Sequence, residues 1–597
     1  FRNGRANNDP KTGDVRYDDP VRRMTWDALP EGYCRNYTDG DTNCPWRFDD
    51  TPPNWSPTKE GPRGRDYYGG DLKGVDQQLD YLKSLGINTI YLNPVFDAGS
   101  NHGYDTQDYY RIDPYFGTQK DFDNLVKHAH AIGIRVVLDG VFNHMSSDSP
   151  IFDRYHHYPT VGACESVDSP YRSWFTFVED AAGPCAGPNG IRMRYEGWFG
   201  FDSIPVLTKS KAEVQAYFLT SRDSVAKHWL RAGADGWRLD VSGDASFPDG
   251  YWQTFRTATK AVAPNSLSIG ETWQKDSALL RSIRGDQLDT TMNYRIRDAV
   301  LGLLAPQSFD SKGFADSGRK LTASEFANRL ASVREDYPDA AYYSLLNILD
   351  SHDTERALWT LTAGPETRAG RENPAALAAG KARLRLASLI QFTQAGMPTV
   401  YYGDEAGVTG DDDPDDRRTY PWADLGGSPD KALISHYTAL TSLRNAEPAL
   451  RTGDFRVLLA DDAASTVAYG RKTQYRGGIV ALNTSDAART LSIPVGGYLP
   501  EGTRLTVVFG VGVATGTTAT VSGGVLKVAL PANAGAWLAT GDTDLLAPAA
   551  PKASVAAEAS RSVTVAWQPV RGAVGYQVYA SPVTGGGWVQ VTSKPVP

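Results

Sequence analysis

The chain has 597 residues, 41% of them hydrophobic and 22% charged, with a formal net charge of −9. This composition predicts a soluble globular protein of three or four domains. An acidic balance without a basic patch argues against a nucleic-acid partner, and no apolar run approaches the ~20 residues that span a bilayer.

The chain starts at Phe1 with neither Met nor an apolar leader, as expected of a chain that has been processed or trimmed. Cys34 and Cys44 lie in a stretch rich in Gly, Pro, Asp and Asn, and Cys164 and Cys185 lie in another. Neither pair has the C-x-x-C spacing of a zinc or redox motif. Two loop-closing disulfides, Cys34–Cys44 and Cys164–Cys185, are expected, and with them a secreted, extracellular protein in an oxidising compartment.

From about residue 70 to 450, short β-branched runs ending in polar residues alternate with helix-like stretches. The runs are INTIYLNP (87–94), IRVVLDGVFNH (134–144), GWRLDV (236–241), LSIGETW (267–273), TTMNY (290–294), YSLLNILDSHD (343–353) and TVYYGDE (399–405). Between them, VDQQLDYLKSLG (75–86), DFDNLVKHAHAIG (121–133), SRDSVAKHWLRAG (221–233) and KARLRLASLIQFTQAG (381–396) space apolar residues by three and four. Strand alternating with helix means parallel units, and their number over this length predicts an α/β fold, a (β/α)8 TIM barrel. A further strand, second in order, is expected near DYYRID (108–113).

Residues 145–209, rich in Pro, Gly, Asp and aromatics, predict an excursion domain after the third strand. Beyond about residue 451 the texture changes to short strands with turn signals, such as STVAYGRKT, GGIVALNTS and TRLTVVFG. They predict a C-terminal antiparallel β-sandwich domain. The expected division is 1–144, N-terminal segment and first part of the barrel; 145–209, excursion; 210–450, rest of the barrel; and 451–541, β domain. A Pro- and Ala-rich linker follows at 542–554, then the start of a fibronectin type III-like module at 555–597.

GWRLDV puts Arg238 and Asp240 two apart, on one face of a strand. Polar residues at the C-terminal ends of barrel strands form the active face. They include Asp139, Asn143, His144, Arg238, Asp240, Glu271, His352 and Asp353. Such a set suits glycosidic-bond cleavage, in which one carboxyl attacks carbon and another protonates the leaving oxygen. A cation one pleat from the attacker is expected to lower its pKa and keep it charged. The plainer reading, a buried ion pair atop a barrel, leaves Glu271 and Asp353 unexplained.

DGVFNH, GWRLD, GETW and DSHD, in this order, with NHGYDT (101–106) upstream, resemble the signature regions of the α-amylase superfamily, glycoside hydrolase family 13, over about residues 1–541. The resemblance implies Asp240 as nucleophile, Glu271 as general acid/base and Asp353 as the third carboxylate, which binds sugar hydroxyls. It implies that Arg238 orients and ionises the nucleophile, His144 and His352 bond ring hydroxyls, Tyr104 stacks on the ring and Asp105 braces the site. The stretches 67–96, WFGFDSIPVL (198–207) and DDDPDDRRTYPW (411–422) are similar to the neopullulanase, cyclomaltodextrinase and amylopullulanase branch. In that branch Asp413 and Arg417 would grip glucose units on the non-reducing side, and Trp198 and Trp273 are candidate platforms for neighbouring rings.

FRNGRANNDP (1–10), with GGD before the first helix, resembles that branch's calcium loop. The implied Ca2+ ligands are Asn3, Asn8, Asp9, the Gly69 carbonyl and Asp71, with Arg5 standing where the branch usually has a carboxylate. Many α-amylases bind a second calcium near the position of Asn143, whose other ligands the sequence does not place. The implied function is a secreted, retaining, amylopullulanase-like endo-hydrolase of starch- or pullulan-type α-glucans, acting as a monomer on α-1,4 bonds, with α-1,6 bonds left open. The alternatives are a transglycosylase or cyclomaltodextrinase on the same fold, and a non-catalytic glucan-binding protein, against which Asp240, Glu271 and Asp353 argue.

Overall fold

The computed structural model describes residues 1–30, 64–273, 275–312, 316–546, 551–559, 562–570, 573, 575–581 and 589–596. Cys34 and Cys44, expected as a disulfide, lie outside the described residues. The chain divides into two compact units, Phe1–Ala446 and Glu447–Pro597. No helix among the described residues is long and apolar enough to cross a membrane.

The first unit is built on parallel strands. Thr89–Leu92, Arg135–Gly140, Gly236–Leu239, Leu267–Gly270 and Thr290–Thr291 hydrogen-bond side by side in the order in which they follow along the chain. A parallel bridge from Met292 to Leu346 continues the wall into Leu346–Asn347 and Met397–Pro398. Val136, Val137 and Leu138 are buried in succession, as expected of strands covered on both faces.

The helix Gln119–Ala131 packs by one stripe, whereas Tyr294–Leu304 is buried almost all round. Gln119–Ala131 opens with a capping box between Thr118 and Asp121 and buries Phe122, Leu125, Val126 and Ala129. These lie three and four apart, one face of a 3.6-residue period. The stripe stops at Ile132, and Gly133 takes φ 73° to leave the helix. Truncating Phe122 to Ala would cost about 3–5 kcal/mol, because a buried ring leaves a cavity.

One expectation is overturned. DYYRID is not the second barrel strand: it belongs to Thr106–Ile112, which pairs antiparallel with Phe96–Ala98, while Thr89–Leu92 pairs directly with Arg135–Gly140. The connection between the two antiparallel strands, 99–105, is hairpin length, whereas a parallel crossover needs a dozen or more residues. Asp105 secures that connection, accepting from the Ser100 backbone N–H at 3.1 Å and from Tyr17 Oη–H at 2.6 Å.

The excursion leaves after Arg135–Gly140. Its three-stranded sheet runs Cys185–Ala186, Arg192–Tyr195, Phe177–Glu179. The Cys164–Cys185 disulfide closes it, and Phe152 packs edge-on against Phe175 and Tyr195 inside. The segment rejoins the barrel rim where Val206 bridges His144 and the Leu207 N–H donates to the Asn143 carbonyl at 3.0 Å.

The second unit carries a six-stranded antiparallel sheet ordered Arg456–Asp461, Thr466–Lys472, Gly477–Asn483, Ala534–Thr540, Arg504–Val511, Thr518–Thr520. A separate pair, Arg489–Pro494 with Val525–Leu530, buries Leu491, Ile493, Leu526, Val528 and Leu530 against the same core. Alternation along Arg489–Pro494 shows one face in and one out. Two further antiparallel pairs follow, Ala553–Ala559 with Ser562–Trp567 and Tyr579–Ala580 with Val589–Gln590.

Candidate active site

The C-terminal ends of the parallel strands converge on one guanidinium. Arg238 pairs in register with Asp139 on the neighbouring strand, and its side chain is fully buried. Nη1 donates to Asp240 Oδ1 at 3.0 Å and to both Asp139 oxygens at 3.1 Å. Nη2 lies 3.0 Å from Glu271 Oε2 and 4.0 Å from Asp353 Oδ2. Asp139 forms the floor, since Tyr91 and Tyr104 hydroxyls also donate to its Oδ2 at 2.6 and 2.8 Å. Asp353, with 32% of its side-chain surface exposed, is the carboxylate most open to an incoming molecule.

One cation against four carboxylates, three of them buried, cannot keep them all ionised. Burial first, and then the Glu271 charge, push the Asp240 carboxyl well above the usual carboxylate range, with Arg238 opposing. Burial also raises Asp139 and Asp353, again against Arg238. Arg238 does lower the Asp240 pKa as expected, but burial and the Glu271 charge outweigh it, so the expected net lowering is corrected. The arginine faces the right group, but its charge is divided among four carboxylates.

The two histidines are held neutral. Burial lowers His144 to about 4. Its Nδ1 lies 3.2 Å from Asn143 Nδ2 and its Nε2 3.0 Å from the Tyr104 carbonyl, so the proton belongs on Nε2. Burial, then Arg417, lowers His352 far below its ordinary value. Its Nε2 faces the Tyr104 hydroxyl and lies 3.2 Å from Asp353 Oδ2. The Tyr104 ring, expected to stack on substrate, lies parallel to the His352 ring at 5.4 Å.

Residues 33–423 match the α-amylase catalytic-domain family. The chain belongs to the α-amylase family. It is 36% identical over 623 residues to an amylopullulanase of Thermoanaerobacterium saccharolyticum, covering all of this chain and 45% of that protein. It is 36% identical over 437 residues to a cyclomaltodextrinase of Geobacillus thermopakistaniensis strain MAS1, covering 73% of this chain and 66% of that one. The acarbose-soaked crystal structure of a Nostoc punctiforme debranching enzyme superposes with a TM-score of 0.64 at 30% identity, over 86% of this chain and 97% of that one. The chain spans less than half the length of the amylopullulanase it matches.

Around this α-amylase-family centre the other sequence candidates gather unevenly. Trp198 lies against the His144 ring at 5.5 Å. Trp273 stacks instead on Tyr294 at 3.8 Å and donates through Nε1–H to Glu271 Oε1 at 2.8 Å. Arg417 Nε donates to Asp413 Oδ1 at 2.7 Å, and the charges of both reach His352 and Asp353. Sequence reasoning missed Tyr91, Tyr294 and Lys209. Tyr91 and Tyr294 sit within strand-end runs that were read for charge only. Lys209 is buried, and its ammonium donates to Asn143 Oδ1 at 2.7 Å.

The N-terminal loop brings together all five residues implied as calcium ligands. Asn3 Nδ2 donates to Asp9 Oδ1 at 2.9 Å and Asn8 Nδ2 to Asp71 Oδ2 at 3.2 Å. Gly69 adopts φ 83°, and a Cβ there would stand 2.7 Å from Asp9 Oδ1, so only glycine lets the loop close. Asp71 also caps the helix Leu72–Gln77 through the Gly74 N–H. Asn8 Oδ1 is buried without a hydrogen-bond partner, an orphaned oxygen of the kind a hard cation satisfies. Arg5, the departing position, pairs with Asp121, and Arg23 reaches Asp9 Oδ2 at 2.6 Å.

Proposed function

We propose that the chain is a retaining α-glucan endo-hydrolase of amylopullulanase type, with Asp240 as nucleophile and Glu271 as general acid/base. The observation that carries this reading is the guanidinium of Arg238 with Asp240 on one terminal nitrogen and Glu271 on the other, each at 3.0 Å. Two carboxyls gripped by one planar group are close neighbours. That supports double displacement, for which the carboxyl separation is about 5–5.5 Å rather than the wider spacing of inverting enzymes. Asp240 attacks the anomeric carbon while Glu271 gives its proton to the departing glycosidic oxygen. Glu271 then takes a proton from water, which attacks the same carbon and releases Asp240. His144, His352 and Asp353 bind hydroxyls of the ring at the cleavage point, and Asp413 with Arg417 holds glucose units on the non-reducing side.

The amylopullulanase and debranching-enzyme likenesses support α-1,4 and α-1,6 glucosidic bonds as targets. Incubation with pullulan tests this. Maltotriose reports α-1,6 cleavage and panose reports α-1,4 cleavage, whereas unchanged pullulan beside digested cyclodextrin favours the cyclomaltodextrinase reading that the second likeness suggests.

The N-terminal loop is the proposed Ca2+ site, held by Asn3, Asn8, Asp9, the Gly69 carbonyl and Asp71. The ion's part there is to tie the loop to the start of the barrel. Secretion is proposed on the strength of the Cys164–Cys185 bridge. The antiparallel sheets after Glu447 are read as a β-sandwich domain, and the pairs after Ala553 as part of a fibronectin type III-like module.

A further inference from the structure

Glu271 is held by an unusual set of donors. Its Oε2 accepts from the Val241 backbone N–H at 2.7 Å and lies 3.0 Å from Arg238 Nη2. Its Oε1 accepts from the Trp273 indole N–H at 2.8 Å. Val241 is β-branched yet sits at φ 42°, a left-handed conformation that such residues hold only when their surroundings impose it. Directly after Asp240, that turn is what aims the Val241 N–H at the acid/base carboxyl. Trp273 is fixed in its own way: its ring lies 13° from the plane of buried Tyr294.

The two oxygens of Glu271 are therefore unequal. Oε2 accepts from a backbone amide and lies beside the Arg238 cation, whose charge disfavours a proton there. Oε1, with one neutral donor, keeps a direction for a proton. We propose that Trp273 is a positioning residue for the acid/base carboxyl, its indole N–H holding Oε1 as the oxygen that delivers the proton. This rests on the reading of Glu271 as general acid. In the step, the bond between the anomeric carbon and the glycosidic oxygen breaks and its electron pair stays on that oxygen. The proton passes from Oε1 to the same oxygen, and Asp240 forms the new bond to carbon. Glu271 is left as a carboxylate, which Trp273 and Val241 then stabilise through charge-assisted hydrogen bonds and Arg238 through its neighbouring charge.

The test is Trp273→Phe, which keeps an aromatic ring on Tyr294 and removes the N–H. Its kcat/KM is measured on aryl α-maltosides whose phenols differ in acidity. General-acid assistance is worth about 10²–10⁴-fold and matters most for poor leaving groups. The expected result is a loss of about tenfold or more with the least acidic phenol and of less than about threefold with the most acidic. Trp273→His, with a ring N–H at its edge, should recover part of the loss. A parallel fall across the whole series, as a stacking platform or a merely structural role would give, overturns the proposal, and so does no fall at all. Glu271→Gln on the same series separates the two readings. A steep dependence there with a flat one in Trp273→Phe sinks the role of Trp273 alone. A flat dependence in Glu271→Gln sinks the acid assignment on which it rests.

Discussion

Asp240 is the residue on which most depends, and its environment makes it costly. Burial and Glu271 raise its carboxyl well above the ordinary value, near 3.9 in roughly unperturbed peptides. A group whose folded-state pKa is raised contributes stability below its unfolded pKa and loses it as pH rises through the folded one. At neutral pH the charged cluster therefore works against the fold. Asp240→Asn should abolish turnover by several powers of ten, on the order seen when a covalent-catalysis residue is removed. It should also raise the melting temperature at pH 7, because Arg238 keeps three other carboxylates while their mutual repulsion falls. A scanning melt of the variant checks this, and a lowered midpoint would mean that the Arg238–Asp240 pair outweighs the repulsion. The same shift sets the acid limb of kcat/KM clearly above about pH 4, since Asp240 must lose its proton to attack. A limb at or below that value would show an unperturbed nucleophile. The pairing of Arg238 with Asp240 is legible from a two-residue spacing, because strand alternation alone puts both on one face. The sharing of that cation with Asp139 and Glu271 is not, because it arises from strand register.

The excursion domain is the element most dependent on a single bond. Its apolar residues around Phe152 run into the barrel core, and the Cys164–Cys185 bridge closes a separation of 21 residues. In the chain-entropy model such a loop contributes about 3 kcal/mol. Replacing both cysteines with Ser should expose residues 145–209 to limited proteolysis and lower activity on polymers while the barrel stays folded. Uncut excursion and unchanged activity on starch would show that the rim bridge Val206–His144 suffices. At this scale periodicity served well where a stripe or run was continuous, as in Gln119–Ala131. It failed at DYYRID, whose alternating texture suits a hairpin as readily as a barrel strand. Only the seven residues of 99–105 distinguish them, through a length too short for a crossover. Lys209 escaped for a related reason: a lysine at the end of a loop-rich segment gives no local sign that it will be buried against Asn143.

Across the first unit, the N-terminal loop ties Phe1–Pro10 to the entry of the barrel through Asp71, which takes N–H groups from both Gly4 and Gly74. If Ca2+ fills this loop, it binds only the folded state and stabilises by mass action, about 2.7 kcal/mol at a hundred times its dissociation constant. Chelator should lower the melting temperature of the wild-type chain, and Asp71→Ala should lose that response. Equal shifts in both proteins would place the ion elsewhere. Apart from DYYRID, the order of the parallel strands was legible in the sequence because most end in a polar signature, and these signatures carried the family resemblance.

The central claim is that Asp240 and Glu271 cleave an α-glucosidic bond by two displacements at one carbon. Proton NMR of the sugar first released from maltotetraose, recorded before mutarotation, tests it most directly. The account predicts that the α-anomer appears first and the β-anomer only as mutarotation proceeds. An initial β-anomer signal would contradict it, and would require a single inversion by water in place of the Asp240 intermediate.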